Sequence, residues 1–443
     1  MRLIILILFP LLSFGQLNIK SFGAREIYAD NSKYIQRAID SAVKTGKTVI
    51  IPAGNFKVGS PLIVQKWDGD YRQCYIKIVG ESTFWNERSS LTATFGDAPL
   101  LSIQKGKGCI IEGIVFNGKW VKPSSPYKKE LDTYKDPNTR DERYSPYCAI
   151  AIDPFRVSIP PDGGYPSLTS YYRGSDSRGG STGIIVKNCV FNGFTVGAIT
   201  SPNGWTQNAE LITFENIQII NCKIGFAGCQ AQEKMNRIIN VGAWGTTHTL
   251  FCFNTYGEKT PGNWIIDGVN VAGEVNQILF RNSGGYFPLF MSNVYAESIF
   301  QFGFWQSFVG DRLSNSVIDF SVLDELPKAQ YEGGGVTLTN VLTRIYGTNE
   351  PIVFMGNKKQ EKGWWTLENV KITESLGVEP KIVMGYQYSL PDGYQESDFV
   401  FTDVDSINYD VICLDNSNTF WGYKRNGNKS IGLKGNYKMA KIK

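Results

Sequence analysis

The residues best placed to do chemistry are two carboxylates, Glu215 and Asp267, each followed by the Asn or Gly of a repeated pattern. The apolar residues of that pattern would fill a core, so the residue before the Asn or Gly points outward. If the repeats stack as neighbouring strands, the two carboxylates lie two strands apart, about 10 Å between backbones. Side-chain tilt would bring them into the ~6.5 to 9.5 Å window of an inverting glycoside hydrolase. We take them as a candidate acid and base, against the alternative of solvated surface carboxylates.

The repeated pattern is an apolar residue, a variable residue, Asn or Gly, and a second apolar residue, as in residues 214–217. Successive Asn or Gly markers are mostly 24 to 29 residues apart, and one gap of 47 residues holds a degraded copy near residues 317–320. The first gap, of 75 residues, spans one or two periods plus an insertion. The markers are Gly113, Asn188, Asn216, Asn240, Gly268, Asn293, Asn340 and Asn369.

Short strands at this period, with no helix between them, predict an all-β solenoid with three strands per coil, a parallel β-helix of about ten to twelve coils. At the marker we expect an inward Asn to bond backbone groups of neighbouring coils, and Gly to supply a positive φ. An irregular β-sandwich is the alternative, but copies in phase argue against it. The variable position would form an exposed column of Glu112, Lys187, Glu215, Ile239, Asp267, Ser292, Thr339 and Glu368.

Residues 31–45 carry the one strong helical signal, between capping candidates and Gly46. A solenoid exposes strand edges and apolar side chains at its ends, so we expect this helix to cap the N-terminal end, within a capping segment 17–60. Residues 16–443 would form one β-helix domain with this N-terminal capping α-helix. The apolar stripe of the helix is Ile35, Ala38, Ile39, Ala42 and Val43.

Composition excludes several kinds of site. The chain of 443 residues has one histidine, His248, which rules out zinc motifs that need two. His248 could serve as an acid or base, but we favour a structural histidine. The formal charge of +4 is mixed along the chain without a basic run, so we expect no nucleic-acid partner.

The first residues predict export. Arg2 precedes the apolar run 3–12 and a small-residue cleavage site, so residues 1–15 resemble a signal peptide. A membrane anchor is the alternative, but the run is too short to span a bilayer. We expect an exported protein (periplasmic, at the cell surface or secreted) without a membrane span. Of its eight cysteines, Cys109, Cys189 and Cys252 lie in apolar strands, where buried free thiols are expected.

A long loop insertion at about 119–182 is rich in tyrosine and arginine. Long loops on repeat scaffolds are often functional, and such residues stack on sugar rings and pair with acidic groups. Arg143 and Tyr172 are its candidate binding residues, with a structural flap as the alternative. Trp244, Tyr256 and Tyr295 would extend the surface if they face the same side.

The opening segment resembles that of the pectate-lyase-like β-helix superfamily. The resemblance lies in Phe22-Gly23-Ala24, the helical residues 31–45 and the turn Pro52-Ala53-Gly54. It covers about 45 residues closely and the remainder through the coil repeat. The usual Asp-Gly-x-x-Asp-Asp stretch is reduced to residues 26–31. The resemblance implies a right-handed single-stranded parallel β-helix and a carbohydrate substrate, but no particular activity.

The resemblance also bears on individual residues. The strand ending at Asp267 looks like the one that holds a calcium-binding aspartate in pectate lyases, although no second Asp is adjacent. Lyases of this superfamily use Arg or Lys as the base, and Arg281, which we expect one coil away, is the candidate. We expect no required cofactor, with calcium the one metal that the resemblance allows. The Asn-Thr-Asp, Gly-His-Gly and Arg-Ile-Lys motifs of polygalacturonase-type hydrolases are missing.

Three functions stay open at this point. The first is cleavage of a uronate-containing or other acidic polysaccharide, by elimination or hydrolysis. The second is a non-catalytic glycan-binding or adhesive β-helix, and the third is a tailspike-like depolymerase. We expect a monomer or a homotrimer. Residues 179–183 match a G-x-S-x-G nucleophile elbow as a string, but a strand follows where the elbow requires a helix.

Overall fold

The fold is seen in a computed structural model. It describes residues 15–68, 70–82, 88–120, 147–158, 167–171, 180–200, 209–228, 235–254, 263–282, 288–299, 301–306, 311–320, 329–332, 335–345, 352–357, 364–368, 371–374, 382–386, 400–402, 410–414, 420–426 and 429–434. These residues form one helix, a short 3₁₀ turn at Ile19–Phe22 and a long series of strands.

The helix α1 spans Ser32–Thr45. In chain order the strands are β1 (Gln16–Asn18), β2 (Thr48–Ile51), β3 (Gly54–Val58), β4 (Leu62–Val64), β5 (Lys66–Asp68), β6 (Asp70–Arg72), β7 (Lys77–Gly80), β8 (Ser89–Ala93), β9 (Leu101–Ile103), β10 (Ile110–Glu112), β11 (Val115–Asn117), β12 (Cys148–Ile152), β13 (Phe155–Ser158), β14 (Ser167–Tyr171), β15 (Ile185–Lys187), β16 (Val190–Asn192), β17 (Val196–Thr200), β18 (Thr213–Ile220), β19 (Ile224–Gly228), β20 (Asn236–Trp244), β21 (Thr246–Asn254), β22 (Trp264–Val271), β23 (Glu274–Asn282), β24 (Phe290–Ile299), β25 (Gln301–Gln306), β26 (Asp311–Phe320), β27 (Ala329–Glu332), β28 (Gly335–Ile345), β29 (Ile352–Asn357), β30 (Trp364–Glu368), β31 (Lys371–Glu374), β32 (Ile382–Tyr386), β33 (Val400–Thr402), β34 (Asp410–Leu414), β35 (Phe420–Asn426) and β36 (Lys429–Lys434).

The strands form a parallel β-helix with three faces. An 18-stranded sheet carries two of them, because strands such as β18, β20 and β22 bend within their length. We call the part before this bend the first face and the part after it the second face. The third face is a 14-stranded sheet that runs from β4 to β36. This sheet has twelve parallel strands from β4 to β34, and two antiparallel strands, β35 and β36, follow at its C-terminal edge. This count confirms the predicted ten to twelve coils.

The bend is made by one residue per coil in the left-handed conformation. At the predicted marker the φ angle lies between 50° and 55° for Asn and is 70° or 72° for Gly. Asn tolerates this conformation better than other side chains do, and Gly adopts it without strain. The degraded copy also has its marker, Asn315, with φ of 50°. The left-handed markers are Gly113, Asn188, Asn216, Asn240, Gly268, Asn293, Asn315 and Asn340.

The prediction that the marker Asn points inward to backbone groups is wrong. The Asn side chains are exposed and bond to one another along the rod: Asn216 Nδ2 donates to Asn188 Oδ1 (3.1 Å), and Asn240 Nδ2 donates to Asn216 Oδ1 (3.2 Å). Farther along, Asn340 Nδ2 donates to Asn315 Oδ1 (3.0 Å). Neighbouring coils already share backbone bonds at the bend, as from Asn188 N to Glu215 O (2.9 Å), so the amides bond to each other instead. We call this row the asparagine ladder.

The helix α1 caps the rod as predicted. Its predicted apolar stripe is buried, and Gly46 ends it with φ of 70° and a bond from its N–H to Ala42 O (2.7 Å). The side chain of Gln36 then joins it to β4, because Nε2 donates to Ile63 O and Oε1 accepts from Ile63 N, both at 2.8 Å. These bonds and the buried stripe fix the helix over the first coils.

Aromatic rings pack against one another in the core along the rod, edge to face or stacked. The ring centroids of Phe116 and Phe191 are 5.8 Å apart, and Phe226 lies 5.2 Å from Phe214 and 5.8 Å from Phe251. Burial of such rings is the main favourable term in a solenoid, since each coil contacts only its neighbours. Six cysteines are buried with free thiols, as expected for the three in apolar strands: Cys74, Cys109, Cys148, Cys189, Cys222 and Cys252.

The stretch 119–182 contains one strand of the solenoid. Strand β12 pairs in parallel with β9 and with β17 on the third face, so the chain leaves the coil twice, before and after β12. Strand β10 pairs directly with β15, which makes the gap of 75 residues a single coil. Most of this stretch and the predicted signal peptide lie outside the described residues. Within the described part of the chain, no helix is long and apolar enough to cross a membrane.

Substitutions of the ladder residue Asn240 separate its left-handed backbone conformation from its side-chain hydrogen bond. We expect Asn240→Ala to lower the free energy of unfolding by about 1–2 kcal/mol, because alanine is strained in the left-handed conformation. Asn240→Gly loses the same amide bond but fits the backbone, so its loss should be about 0.5 kcal/mol. Urea unfolding followed by circular dichroism measures both, and equal losses in the two variants would contradict the left-handed assignment.

Candidate functional site

The outward column predicted before the markers exists in the structure. Strand register pairs Glu112 with Lys187, Lys187 with Glu215, and so on through successive coils. The one addition is Ser314 of β26, in the coil whose repeat is degraded. In order along the first face, the column is Glu112, Lys187, Glu215, Ile239, Asp267, Ser292, Ser314, Thr339 and Glu368.

Asp267 lies at the bend where the asparagine ladder is interrupted. The next residue is Gly268, which supplies no amide, and a Cβ there would come within 2.6 Å of Asn240 Oδ1. Asp267 Oδ1 takes the place of the missing amide oxygen, accepting from Asn293 Nδ2 and from Ser292 Oγ, both at 2.7 Å. Two bonds to one oxygen hold this half-buried carboxylate in a fixed orientation beside the bend.

Glu215 shares a face with Asp267, and Arg281 does not. Glu215 and Asp267 are separated in the column by Ile239, so their backbones are about 10 Å apart. Arg281 belongs to β23 on the third face, in register with Phe253 and Trp305. It follows β22 within the same coil as Asp267, whereas the sequence interpretation placed it one coil away. Its side chain lies outside the description.

The exposed aromatic residues Trp244 and Tyr295 lie on the second face, across the bend from the carboxylate column. They are 41% and 39% exposed, whereas rings such as those of Phe191 and Phe226 are buried in the core. Trp244 lies back over Gly242, because a Cβ at that glycine would meet the indole Nε1 at 2.8 Å. Gly242 pairs with Asn270 and Asn270 with Tyr295, whose hydroxyl donates to Glu297 Oε1 (2.8 Å).

Three predicted binding residues cannot be placed. Tyr256, Arg143 and Tyr172 lie outside the described residues. The sequence also has a second group of acidic residues, Asp311, Asp319, Asp324 and Glu325, which is equally compatible with surface solvation. Asp311 and Asp319 lie in β26, with their side chains outside the description, and residues 324–325 are not described.

A groove at the bend was not foreseen from the sequence. It has a volume of about 480 Å³ and runs along the outer corner between the first and second faces. The groove could have been predicted from the column of Asn and Gly markers, because these residues lie side by side along the corner between the two faces. Burial raises the pKa of the Cys189 thiol to about 12, so this lining residue stays protonated and is no nucleophile. The groove is lined by Arg88, Gly113, Val115, Asn188, Cys189, Val190, Asn216 and Gln218.

His248 has the surroundings of a structural histidine. It is fully buried, and burial together with the nearby Lys223 cation lowers its pKa from 6.5 to about 3. Its Nδ1 lies 2.8 Å from Thr249 Oγ1, which in turn donates to Gln277 Oε1 (3.1 Å). His248, Thr249 and Gln277 therefore form one buried hydrogen-bonded group. A neutral buried imidazole is a poor acid or base for a solvent-facing substrate.

The G-x-S-x-G string at residues 179–183 is not a nucleophile elbow. Ser181 is buried, its Oγ accepts from Gly106 N (2.9 Å), and strand β15 follows. Its own N–H donates to Asp153 Oδ2 (2.9 Å), and Lys105 N–H donates to Asp153 Oδ1 (2.6 Å). Burial raises the pKa of the Asp153 carboxyl. This buried aspartate joins backbone donors of two coils and has a structural role.

Metal ligation finds no support in the part of the chain that the structure describes. No group of three or more His, Cys, Asp or Glu side chains there could hold an ion. At Asp267 the two bonded neighbours are a hydroxyl and an amide nitrogen, and the column supplies no second carboxylate in the adjacent coils. Calcium takes six to eight oxygen ligands, so these residues do not fit it.

The neutral state of His248 predicts a pH dependence of stability. The pKa of His248 in the folded state lies below its ordinary value. Its contribution to the free energy of unfolding is therefore fully present above pH 6.5 and is lost as the pH falls towards 3. The slope approaches about 1.4 kcal/mol per pH unit. His248→Asn keeps a hydrogen-bonding group near Thr249 but does not titrate in this range, so it should flatten the dependence between pH 7 and 5. Urea midpoints across this range measure it, and equal slopes in wild type and variant would contradict the burial of a neutral imidazole.

The fold recurs in known structures although sequence comparison finds no relative. No protein-family model matches the chain, and no curated protein matches it. Many solved structures are similar in fold, and the following three are examples. The DFA-IIIase of Arthrobacter chlorophenolicus A6 without its lid has a TM-score of 0.52 at 9% identity, covering 88% of this chain and 99% of its own. The AlgE4 A-module, a mannuronan C-5 epimerase of Azotobacter vinelandii, has a TM-score of 0.50 at 13% identity, covering 88% and 96%.

The third structure is the Agl-KA catalytic domain, with a TM-score of 0.51 at 14% identity. The alignment covers 89% of this chain and 66% of that domain, so the chain spans slightly less than two thirds of its length. Identities this low show the fold alone. The chain therefore has a right-handed parallel β-helix fold, which is the fold that the resemblance of its opening segment implies.

Proposed function

We propose that this chain is an exported protein that binds a uronate-containing or other acidic polysaccharide at the bend between its first and second faces and cleaves it. The observation that carries the proposal is the fixed carboxylate of Asp267 on one side of the bend, with exposed Trp244 and Tyr295 on the other. Exposed aromatic rings beside a carboxylate suit a sugar chain, which presents apolar ring faces and polar edges.

Hydrolysis is the cleavage that the shared face supports better. Asp267 and Glu215 face the same side, about 10 Å apart at the backbone, and both side chains reach solvent. One carboxyl group would give its proton to the leaving oxygen, and the other would activate a water molecule on the opposite side of the sugar. Elimination would instead use Arg281 as the base, taking the proton alpha to a uronate carboxylate. That residue lies on another face from Asp267.

The polysaccharide and the export rest on separate arguments. One protein of similar fold is named a mannuronan epimerase, and mannuronan is an acidic polysaccharide. The signal-peptide pattern of residues 1–15 supports export to the periplasm, the cell surface or the medium. It also counts against the tailspike-like depolymerase, because phage tails assemble in the cytoplasm. The oligomeric state that we expect is a monomer or a homotrimer, and a homotrimer measured by light scattering would favour the tailspike-like function.

A non-catalytic glycan-binding protein is the second candidate. The observation that favours it is the bonding of Asp267 Oδ1 to Ser292 and Asn293, which makes the carboxylate a member of the ladder as much as a free acid. In that case Trp244 and Tyr295 would bind the sugar chain and no bond would break.

Activity assays on variants separate these functions. The mature protein is incubated with a panel of acidic and neutral polysaccharides, and unsaturated ends and reducing ends are followed separately. We expect reducing ends without unsaturated ends, with Asp267→Asn and Glu215→Gln each lowering the rate by about 10² or more. Asp267→Asn keeps the acceptor for Ser292 and Asn293, so it should fold. Asp97→Asn, an exposed carboxylate away from the bend, is the matched control and should keep the wild-type rate.

Each other outcome has a definite meaning. If the wild-type protein forms unsaturated ends and Arg281→Ala does not, the reaction is elimination and not hydrolysis. Activity untouched by all three substitutions would overturn the site assignment. Binding without any product would establish the second candidate in place of the enzyme.

A further inference from the structure

The corner groove leads directly to the candidate carboxylate. Its lining includes Val115, Val190 and Gln218, which stand in one register column of the second face, and the next member of that column is Gly242, over which Trp244 lies. One coil farther on, the column reaches Asn270, beside Asp267 and Gly268 at the bend. The groove and the indole therefore follow one another along the second face, and Asp267 lies across the bend from the next member of that column, Asn270.

We propose that this corner groove is the binding site for a stretch of about three or four sugar residues of an anionic, extended glycan, with its acidic groups towards Arg88 and one ring on Trp244. The inference rests on the proposed function and deepens it by locating the substrate chain. The glycan lies along the rod, and its continuation past Trp244 reaches Asp267.

The length of the groove sets the number of sugars. Arg88 immediately precedes β8, and four coil steps lead from β8 through β11, β16 and β18 to β20, which carries Trp244. At the spacing of neighbouring strands, four steps are about 19 Å. One coil step is comparable to the length of one pyranose residue in an extended chain, so the lining groups repeat at nearly the same interval as the sugars.

The floor of the groove offers hydrogen-bonding groups at this interval. Each ladder amide has two N–H hydrogens and two oxygen lone pairs. The ladder bond from Asn216 to Asn188 uses one hydrogen of the first and one lone pair of the second, and both side chains are exposed. Gln218 adds a further exposed amide on the second face. Sugar hydroxyl groups, which donate and accept, match such a row of amides.

The apolar part of the groove suits the ring faces of the sugar. Val115 and Val190 line the second face, and the indole of Trp244 continues this surface at the end nearest Asp267. Gly242 is required for that arrangement, because any side chain would meet the indole nitrogen at 2.8 Å. The glycine therefore lets the ring lie against the sheet one coil beyond Gln218 of the groove, with 41% of the residue exposed.

Charge selects an anionic chain. Arg88 is the one charged residue among those that line the groove. The neighbouring column charges Lys187 and Glu112 pair with each other at 3.2 Å, so they offset one another. A guanidinium binds carboxylate or sulfate groups through parallel hydrogen bonds, which gives uronate or sulfated sugars an advantage over neutral ones.

Calorimetric titration of the Asp267→Asn protein tests the groove without consuming the probes. The probes are tetramannuronate, tetragalacturonate and, as the neutral comparison, cellotetraose. We expect at least one acidic tetrasaccharide to bind more than tenfold tighter than cellotetraose. Adding Val190→Glu, which places a like charge in the groove, should weaken that binding about tenfold or more. Adding Trp244→Ala should weaken it about tenfold.

The matched control is Ile185→Glu. It makes the same change in the same coil, on a half-buried first-face residue that does not line the groove, and should leave the Kd within about twofold. Circular dichroism checks that all variants fold. Kd values unchanged from those of the Asp267→Asn protein when Val190→Glu or Trp244→Ala is added would overturn the groove and the part of Trp244, and would leave cleavage by Asp267 and Glu215 to the activity assays. A neutral probe that binds as tightly as the acidic ones would overturn the role of Arg88, and no binding of any probe would overturn the proposed function together with the groove.

Discussion

The structure depends on one left-handed residue in each coil. A residue with φ of 50° to 72° turns the chain at the bend, so the first and second faces meet at a corner along which the groove runs. This conformation costs most side chains about 1–2 kcal/mol, which is why Asn or Gly occupies it in every described coil from β10 to β28. Once the bend is fixed, strand register carries its position from coil to coil, and every side chain beside it falls into a column.

The candidate site follows from that constraint. Residues immediately before the bend form the carboxylate column, residues two and four positions after it carry Tyr295 and Trp244, and the bend itself is floored by amides. Gly268 breaks the amide row at one coil, and the carboxylate of Asp267 takes up the bonds that an asparagine would have made. The asparagine ladder is thus interrupted at one coil, where the carboxylate of Asp267 is held in its place. The groove and the exposed indole lie on the N-terminal side of that point.

Much of the fold could be predicted from the sequence, because it is periodic and local. The marker spacing predicted the length of one coil, and the apolar stripe predicted the capping helix. Asn or Gly at the marker indicated a bend, which the structure makes with a left-handed residue. The predicted inward direction of the Asn side chains was wrong. A repeat spacing shows that Asn recurs at the bend, but it does not show whether Asn forms the bend with its own backbone or supports it from the core with its side chain. Arg281 was misplaced for a related reason: the pattern gives register within the first two faces, and the third face lacks a marker. The groove depends on two faces meeting at an angle, which no linear pattern contains.

The central claim is that an acidic glycan lies along this corner and reaches Asp267. The most direct measurement is a crystal structure of the Asp267→Asn protein with a bound acidic tetrasaccharide. The account predicts sugar density parallel to the rod axis, between Arg88 and the indole of Trp244, with the chain end nearest Asn270 and residue 267. Density on the third face, or sugar bound only away from the asparagine ladder, would contradict it.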